Sequence, residues 1–188
     1  MLEIRERGDV QFFFRPSVQP AEADTFTLGV QSFFLILSPA GGALHRRLRI
    51  GKKRLPESPR ERFWARIERI GSLQRVLGGS LESESYITKT RGVRYQPGAR
   101  PIAQGTYELV RHDDHFHFRY EAEAFDLLDA PEEIQLAQSG NFRILWKASS
   151  ARATWTQHGD LAQLDDEGAQ VVLVGSRTDD DQSIEALA

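Results

Sequence analysis

A chain of 188 residues with 40% hydrophobic residues, a net charge of −3 and no cysteine has the composition of one folded domain. The missing cysteines exclude disulfides, thiol nucleophiles, iron–sulfur clusters and thiolate-bound zinc, so any bound metal would depend on histidine and carboxylate. The charged amino terminus does not predict an export signal, and the longest apolar run, Phe33–Leu37, is far too short to span a bilayer. A soluble cytoplasmic protein with no membrane partner is therefore expected.

The first third of the chain predicts three strands. Val10–Val18 is rich in aromatic residues and ends at prolines, which is typical of an outer strand. Phe26–Ser38 becomes continuously apolar toward its end, which favours a strand buried on both faces. Leu44–Leu55 alternates apolar residues with arginines, and this pattern predicts a strand with one solvated face.

A capping box at residues 58–61 predicts the one clear helix. Ser58 offers the N-cap, Pro59 suits the first helical position, and Glu61 is the reciprocal partner of the cap. Apolar side chains then recur at the spacing of one helix face, with an indole beside them, namely Phe63, Ile67, Ile70 and Trp64. We expect this well-capped amphipathic helix to end near Gly71 or to continue to Gly78–Gly79.

The rest of the chain predicts further short strands. Tyr86–Tyr95 and Asn141–Lys147 have the pattern of strands, and Pro131–Gln138 suits a turn or a short helix. A closing hairpin is expected from Leu161–Leu164, the turn DDEG and the apolar run at 169–175. Many short strands with one good helix indicate an α+β fold, mainly antiparallel β in a barrel or a sandwich. We assign residues 1–175 to a single β-rich domain and residues 176–188 to an acidic C-terminal tail.

The segment RHDDHFHFRYEAEAF, Arg111–Phe125, predicts the turn and second strand of a β-hairpin. Folding the chain about Asp113–Asp114 places His112 opposite His115. The other cross-strand pairs then also suit each other: Leu109–Phe118, Tyr107–Tyr120, Val110–His117 and Glu108–Arg119. Because side chains alternate along strands, the histidines occupy the polar face and should point outward. The larger, aromatic row should face the core and consists of Phe116, Phe118 and Tyr120.

Within this hairpin the spacing His115-x-His117-x-x-x-Glu121 resembles the core of the first cupin motif. The resemblance implies a divalent metal held by His115, His117 and Glu121 inside a small barrel, and hence a metal-dependent enzyme. The chain departs from that motif at its two glycine positions, which are Leu109 and Leu128 here, and it has no second motif. The alternative interpretation is a solvated hairpin face with a cross-strand histidine pair, which requires no metal or other cofactor.

A second candidate site is basic and lies in the segment KTRGVRYQPGARP at residues 89–101. It carries four cations, Lys89, Arg91, Arg94 and Arg100. Guanidinium groups bind phosphate or carboxylate through two parallel hydrogen bonds, so these residues predict a pocket for a small anionic ligand. Structural salt bridges would explain the same residues, and the acids expected in them are Glu82, Glu84 and Glu108.

Charge is distributed unevenly along the chain. Residues 45–75 contain eleven Lys and Arg against three Glu, whereas residues 159–188 contain eight acids against one arginine. Basic stretches of this kind occur in nucleic-acid-binding proteins, but this one lacks interleaved aromatic residues, so a nucleic-acid partner is not expected. The same asymmetry would let the basic stretch of one molecule dock on the acidic end of another, which predicts a salt-sensitive homo-oligomer.

Several segments together resemble a family of bacterial proteins of unknown function. They are GDVQFFFRP (8–16), KKRLPE (52–57), RFW (62–64), TKTRG (88–92), ARPIAQGTY (99–107) and HDDHFHFRY (112–120). The resemblance covers about Gly8 to Lys147, and it implies that the first three quarters of the chain form one unit. It implies no activity, cofactor or partner.

The sequence as a whole favours a non-catalytic binding module for a phosphate- or carboxylate-bearing ligand. Catalytic signatures such as G-x-S-x-G, the P-loop and H-E-x-x-H are absent from the chain. Two alternatives stay open, a cupin-like metal-dependent enzyme and a homo-oligomeric interaction protein.

Overall fold

The computed structural model of the chain describes residues 1–20, 29–79, 81–125, 131–147 and 154–175. Almost all of its regular structure is β-strand. The elements are β1 (Leu2–Pro16), β2 (Gln19–Pro20), β3 (Val30–Pro39), β4 (His45–Ile50), β5 (Arg62–Gly71), α1 (Leu73–Leu77), β6 (Glu84–Thr88), β7 (Gly92–Gln96), β8 (Arg100–His112), β9 (His115–Phe125), β10 (Ser139–Lys147), β11 (Trp155–Thr156), a 3-10 helix (Leu161–Asp165) and β12 (Gln170–Gly175).

Eight of these strands close into an antiparallel barrel in the order β1-β3-β4-β5-β12-β10-β9-β8, with β8 returning to β1. Each half of the barrel is a four-stranded meander. The first strands of the two halves pair with each other, β1 with β8, and so do the last strands, β5 with β12. Closure of this kind removes the exposed edges that an open sheet would present. The predicted antiparallel β architecture is confirmed, and it is a barrel rather than a sandwich.

Alternation of side chains along the strands decides what fills the barrel. In β1 from Val10 onward and in β5 as far as Ile67 every second residue is buried, and the buried rows are aromatic or aliphatic. Rows from all eight strands meet in one core, which includes Phe12, Phe33, Ile67, Ile102, Tyr107, Leu109 and Trp146. Barrels of eight strands have interiors of about the width that side chains can fill. The interior of this barrel is accordingly occupied by packed rings and aliphatic groups.

The two ends of the barrel are covered by short segments. The 3-10 helix covers the end at which β4 begins, since Leu164 is buried in the core and Asp165 binds Arg46. The turn at 131–137 covers the opposite end. There Ile134 is buried, and the Tyr120 hydroxyl donates a hydrogen bond to the Ala137 carbonyl oxygen at 2.8 Å.

A second buried layer lies on the outer face of β3 and β4, next to α1. Phe34 and Ile36 point outward from β3 yet are buried, and Arg47 of β4 lies beside them. Arg47 Nη1 donates to the carbonyl oxygens of Val76 and Gly78 at 3.0 and 3.1 Å. The guanidinium thus satisfies carbonyl groups at the C-terminal end of α1, which have no partner within the helix.

The helix predicted from Ser58 is wrong, because β5 takes its place. Residues 62–67 alternate between exposed and buried, and β5 pairs with β4 on one side and with β12 on the other. Trp64, expected in the core, is exposed, whereas Ala65 is fully buried. The capping-box residues form a reverse turn in which the Glu61 N–H donates to the Ser58 carbonyl oxygen at 3.0 Å.

A β-bulge explains why β5 has the hydrophobic spacing of a helix. Phe63 and Ile67 are four residues apart, which places them on one face of a strand as well as of a helix. The register with β4 then shifts by one residue, because Leu48 pairs with Ile67 but Arg47 pairs with Arg69. The extra residue returns Ile70 to the core face, against which it packs. The spacing that predicted a helix is therefore also the spacing of a bulged strand.

Three other sequence predictions need correction. Tyr86–Tyr95 is not one strand but the hairpin β6–β7, with Gly92 at φ 69° beside its turn. Leu161–Leu164 is part of the 3-10 helix rather than a strand. The arginines of β4 were expected in solvent, yet Arg46 and Arg47 are buried.

The predicted acidic tail, residues 176–188, lies outside the described residues. Neither helix in the described part of the chain is long and apolar enough to cross a membrane.

Candidate metal centre

The β8–β9 hairpin has the register that its sequence predicts. His112 pairs with His115, Val110 pairs with His117, and the other predicted cross-strand pairs are all present. Asp113 adopts a left-handed conformation with φ 53°, which allows a two-residue turn to join the strands. The turn therefore sets the two histidines nearest to it directly opposite each other.

The aromatic row of β9 faces the barrel core, as predicted. Its three rings, Phe116, Phe118 and Tyr120, are at most 6% exposed and contact aromatic side chains of β1 and β10. The histidines therefore lie on the outer wall of the barrel. They are nevertheless largely shielded from water, since His117 is fully buried and the side chains of His115 and His112 are 12% and 24% exposed.

Three imidazoles converge on this wall. The ring centre of His115 lies 5.1 Å from that of His112 and 5.0 Å from that of His117. One nitrogen from each ring lies within 4.8 Å of the other two. A tetrahedral ion with bonds of about 2.1 Å needs its nitrogen ligands about 3.4 Å apart, so modest side-chain rotations would complete such a site.

Two of the three imidazoles have an aspartate carboxylate beside one ring nitrogen. Nδ1 of His115 lies 3.0 Å from Oδ1 of Asp114, and Nε2 of His112 lies 3.6 Å from Oδ2 of Asp113. The other nitrogens of these two rings, Nε2 of His115 and Nδ1 of His112, are buried and have no hydrogen-bond partner in the described part of the chain. A carboxylate on the outer nitrogen of an imidazole fixes its tautomer and makes the inner nitrogen a better metal ligand.

Both carboxylates of the turn are held in their ionised form. A hydrogen bond with His115 lowers the pKa of Asp114, and the terminal amino group of Met1 lowers that of Asp113. Asp114 is itself anchored, because Gln157 Nε2 donates to its Oδ2 at 2.6 Å. The turn therefore brings two negative charges to the outer side of the histidine cluster.

The third imidazole, His117, is held by a residue of β10. Its Nδ1 lies 2.9 Å from Oδ1 of Asn141. An amide oxygen only accepts hydrogen bonds, so Nδ1 is the donor, and in the neutral ring this leaves the lone pair on Nε2. This neutral tautomer is a form in which imidazole binds metals. The cluster is thus positioned by three elements: the hairpin turn, β10 and the segment after β11.

Glu121, the carboxylate of the predicted metal set, lies away from the cluster. The pairing of β9 with β10 is regular from Phe116 to Glu121. Glu121 therefore lies about 14 Å from His117 along the strand, at about 3.4 Å per residue. The structure brings together His115 and His117 from the predicted set and adds His112. The signal for His112 was the cross-strand pairing with His115, rather than spacing within one strand.

The four cations of the predicted anion pocket lie on three elements. Lys89 and Arg91 are exposed in the turn of the β6–β7 hairpin, Arg94 is half-buried on β7, and Arg100 is exposed at the start of β8. None of the four forms an ion pair with another described residue. Of the acids expected as their structural partners, Glu84 contacts Arg15 and Glu108 contacts Arg7 and Arg119, whereas Glu82 accepts a hydrogen bond from Arg15 through its main-chain carbonyl oxygen. Binding of an anion by these residues stays a prediction.

A polar cluster that sequence reasoning missed lies inside one end of the barrel. Glu6 accepts hydrogen bonds from the Tyr107 hydroxyl at 2.6 Å and from Arg46 at 2.6 and 3.1 Å. Arg46 also donates to Asp165 of the 3-10 helix at 2.8 Å. Burial, assisted by the hydrogen bond to Glu6, raises the pKa of Tyr107, so the phenol stays a neutral donor. Because each charge has an opposite charge beside it, this cluster has the character of a structural anchor.

Comparison with known proteins adds no family to this geometry. No family model matches the chain, and no curated protein or solved structure is significantly similar to it.

Proposed function

We propose that this protein binds a divalent transition-metal ion through His112, His115 and His117. The observation that carries the proposal is the pair of buried ring nitrogens without a hydrogen-bond partner among the described residues, Nδ1 of His112 and Nε2 of His115. Leaving a buried polar group unsatisfied costs about 1–3 kcal/mol. An ion bound between the rings would supply the missing interaction.

The donor set favours a particular class of metal. Neutral imidazole is a ligand for zinc, copper, nickel and cobalt, whereas magnesium and calcium prefer oxygen. Three protein ligands leave one position of a tetrahedral ion open for water or another small molecule. The adjacent carboxylates of Asp113 and Asp114 would offset part of the positive charge of such an ion.

A cupin-like enzyme is the weaker proposal for the same histidines. The cupin motif implies an ion inside the barrel with Glu121 as a ligand. Here the imidazoles lie on the outer wall, the inward row of β9 is aromatic, and Glu121 lies far along the strand. These three facts favour metal binding outside the barrel over catalysis within it.

Titration of the chelator-stripped protein tests the proposal. Calorimetry with zinc should give one ion per chain, and cobalt should give the visible absorption of a tetrahedral site. His115→Ala and His117→Ala should each weaken binding by at least about tenfold, with circular dichroism used to show that each variant is folded. His45→Ala is the matched control, because His45 contacts Ser38 outside the cluster. Binding well below one equivalent, or an equal loss in His45→Ala, would overturn the proposal.

A further inference from the structure

The outer wall of β4 and β5 carries arginines around an exposed tryptophan. The outward positions of β5 include Arg62, Trp64 and Arg66, and the register of the sheet places Arg49 of β4 beside Arg66. Alternate residues of a strand are about 6.8 Å apart, so Trp64 lies between Arg62 and Arg66 in one outward row. Trp64 is 44% exposed. Trp64 is thus the interleaved aromatic residue that the sequence prediction did not find in the basic stretch.

Trp64 is supported by the protein on one face. A Cβ added at Gly51 would lie 2.2–2.6 Å from Cε2, Nε1 and Cδ2 of the indole. Two of these atoms are shared by both rings, so the Gly51 backbone lies against the face of the indole rather than its edge. The Gly51 N–H also donates to the Trp64 carbonyl oxygen at 2.8 Å. The indole therefore lies flat against the outer wall of the barrel. This is the orientation in which another planar group could stack on it.

The neighbours of Trp64 across the sheet carry no charge. Gly51 lies on the β4 side, and Val172 is the register partner on β12. Arg62 is likewise opposite Val174, and Arg66 is opposite Gln170. Neither arginine forms an ion pair with another described residue. Their charges are thus available to an external anion.

An open hollow of about 400 Å³ continues the basic surface from Arg66. It is lined by Arg47, Arg66, Ile67, Glu68, Arg69, Glu167 and Gly168. The two acids in it are engaged by arginines: Glu68 binds Arg47 at 3.2 Å and contacts Arg49 at 3.7 Å, and Glu167 binds Arg75 at 2.6 Å. With three arginines against two acids, the lining of the hollow keeps a net positive charge beside Arg66.

We infer that this wall binds single-stranded nucleic acid, with a base stacked on Trp64 and phosphates bound along Arg49, Arg62 and Arg66. Proteins that bind single strands combine a positive surface that follows the backbone with aromatic rings on which bases stack. In a duplex the bases are stacked on one another and cannot cover the indole. An anionic membrane would also attract the arginines, but an anchoring indole projects into the lipid, whereas this one lies against Gly51.

Fluorescence anisotropy of a labelled oligothymidylate of about a dozen residues, with chelator present, tests this inference on the full chain. The parent protein should bind the single strand more tightly than a duplex of equal length, thymidine monophosphate or anionic phospholipid vesicles. Trp64→Ala should weaken binding roughly five- to a hundredfold, and Trp64→Phe should restore most of it. Arg66→Ala should also reduce the slope of log affinity against log salt by about 0.7.

Arg5→Ala is the matched control, because Arg5 is equally charged and exposed but lies on β1, across the barrel from β12. It should bind as the parent does. Unchanged binding by Trp64→Ala, an equal loss in Arg5→Ala, equal binding of duplex, mononucleotide or vesicles, or no binding at all would overturn the inference. Because the chelator is present, none of these results depends on the histidine cluster.

Discussion

Glu6 and Arg46 form a two-point ion pair inside the barrel, with nitrogen–oxygen distances of 2.6 and 3.1 Å. The two residues come from β1 and β4, which are separated in the wall by β3. Both side chains are largely buried, at 17% and 6% exposure. Burial lowers the pKa of Arg46, but its hydrogen bonds with Glu6 and Asp165 outweigh that effect and the net shift is upward. The pair is therefore charged. It connects β1 with β4, and through Asp165 it also connects these strands with the 3-10 helix at the end of the barrel.

Glu6→Gln should destabilise the protein strongly. Removing one partner leaves the Arg46 charge buried with a weaker acceptor, and breaking a buried pair costs about 3–5 kcal/mol. The free energy of unfolding from urea denaturation measures the loss. Glu3→Gln is the control, because it removes only the exposed contact with Arg5 and should cost at most about 0.5 kcal/mol. Similar losses in the two variants would contradict the structural role of the pair.

Glu61 should make stability depend on pH in the acidic range. Hydrogen bonds from Arg54 and from the Glu57 N–H hold the pKa of Glu61 at about 2, whereas a free glutamate has about 4.3. A depressed folded-state pKa means that the stabilisation is complete above about pH 4.3 and is lost as the pH falls toward 2.

The comparison with Glu61→Gln isolates this contribution. The variant lacks the carboxylate at every pH, so its deficit in unfolding free energy should be constant from neutral pH down to about 4.3 and shrink below it. Urea denaturation at a series of pH values measures the deficit. A gap that stays the same throughout the acidic range would show that the carboxylate contributes no pH-dependent stability.

Asp114→Ala should weaken metal binding without abolishing it. Asp114 contacts Nδ1 of His115 rather than the proposed ion, so it acts as a positioning residue. Loss of such a partner typically lowers metal affinity about 10–100-fold. Competition with a chromogenic chelator should report weaker affinity at an unchanged stoichiometry of one. Asp9→Ala, at an exposed position of β1, should bind as the parent does; parent-like affinity in Asp114→Ala would argue against this role.

Phe118→Ala should be among the costly single changes in the hairpin. Phe118 is buried in the barrel and contacts Tyr107, Tyr120 and Phe142. Removing a buried phenylalanine ring costs about 3–5 kcal/mol. Thermal and urea unfolding should show this loss, while Tyr86→Ala, in the exposed β6–β7 hairpin, should change little. Comparable effects would mean that the aromatic row of β9 is not part of the core.

The β8–β9 hairpin could be derived from the residues alone, including its register and its inward row. Strand side chains alternate strictly, and only one register about Asp113–Asp114 pairs apolar residues with apolar ones and acid with base. The same local rule identified β10 and the doubly buried β3. Each of these results depends only on residues close together in the chain.

Contacts between distant segments decided the rest. Residues 62–70 fit both a helix and a bulged strand, and only pairing with β4 and with β12, far along the chain, selects the strand. That selection also turns Trp64 outward between two arginines. His117 owes its tautomer to Asn141 on β10, and Glu6 meets Arg46 across an intervening strand. Local spacing fixes which face a side chain occupies, but the neighbours on that face are fixed by closure of the barrel, because closure determines which strands become adjacent.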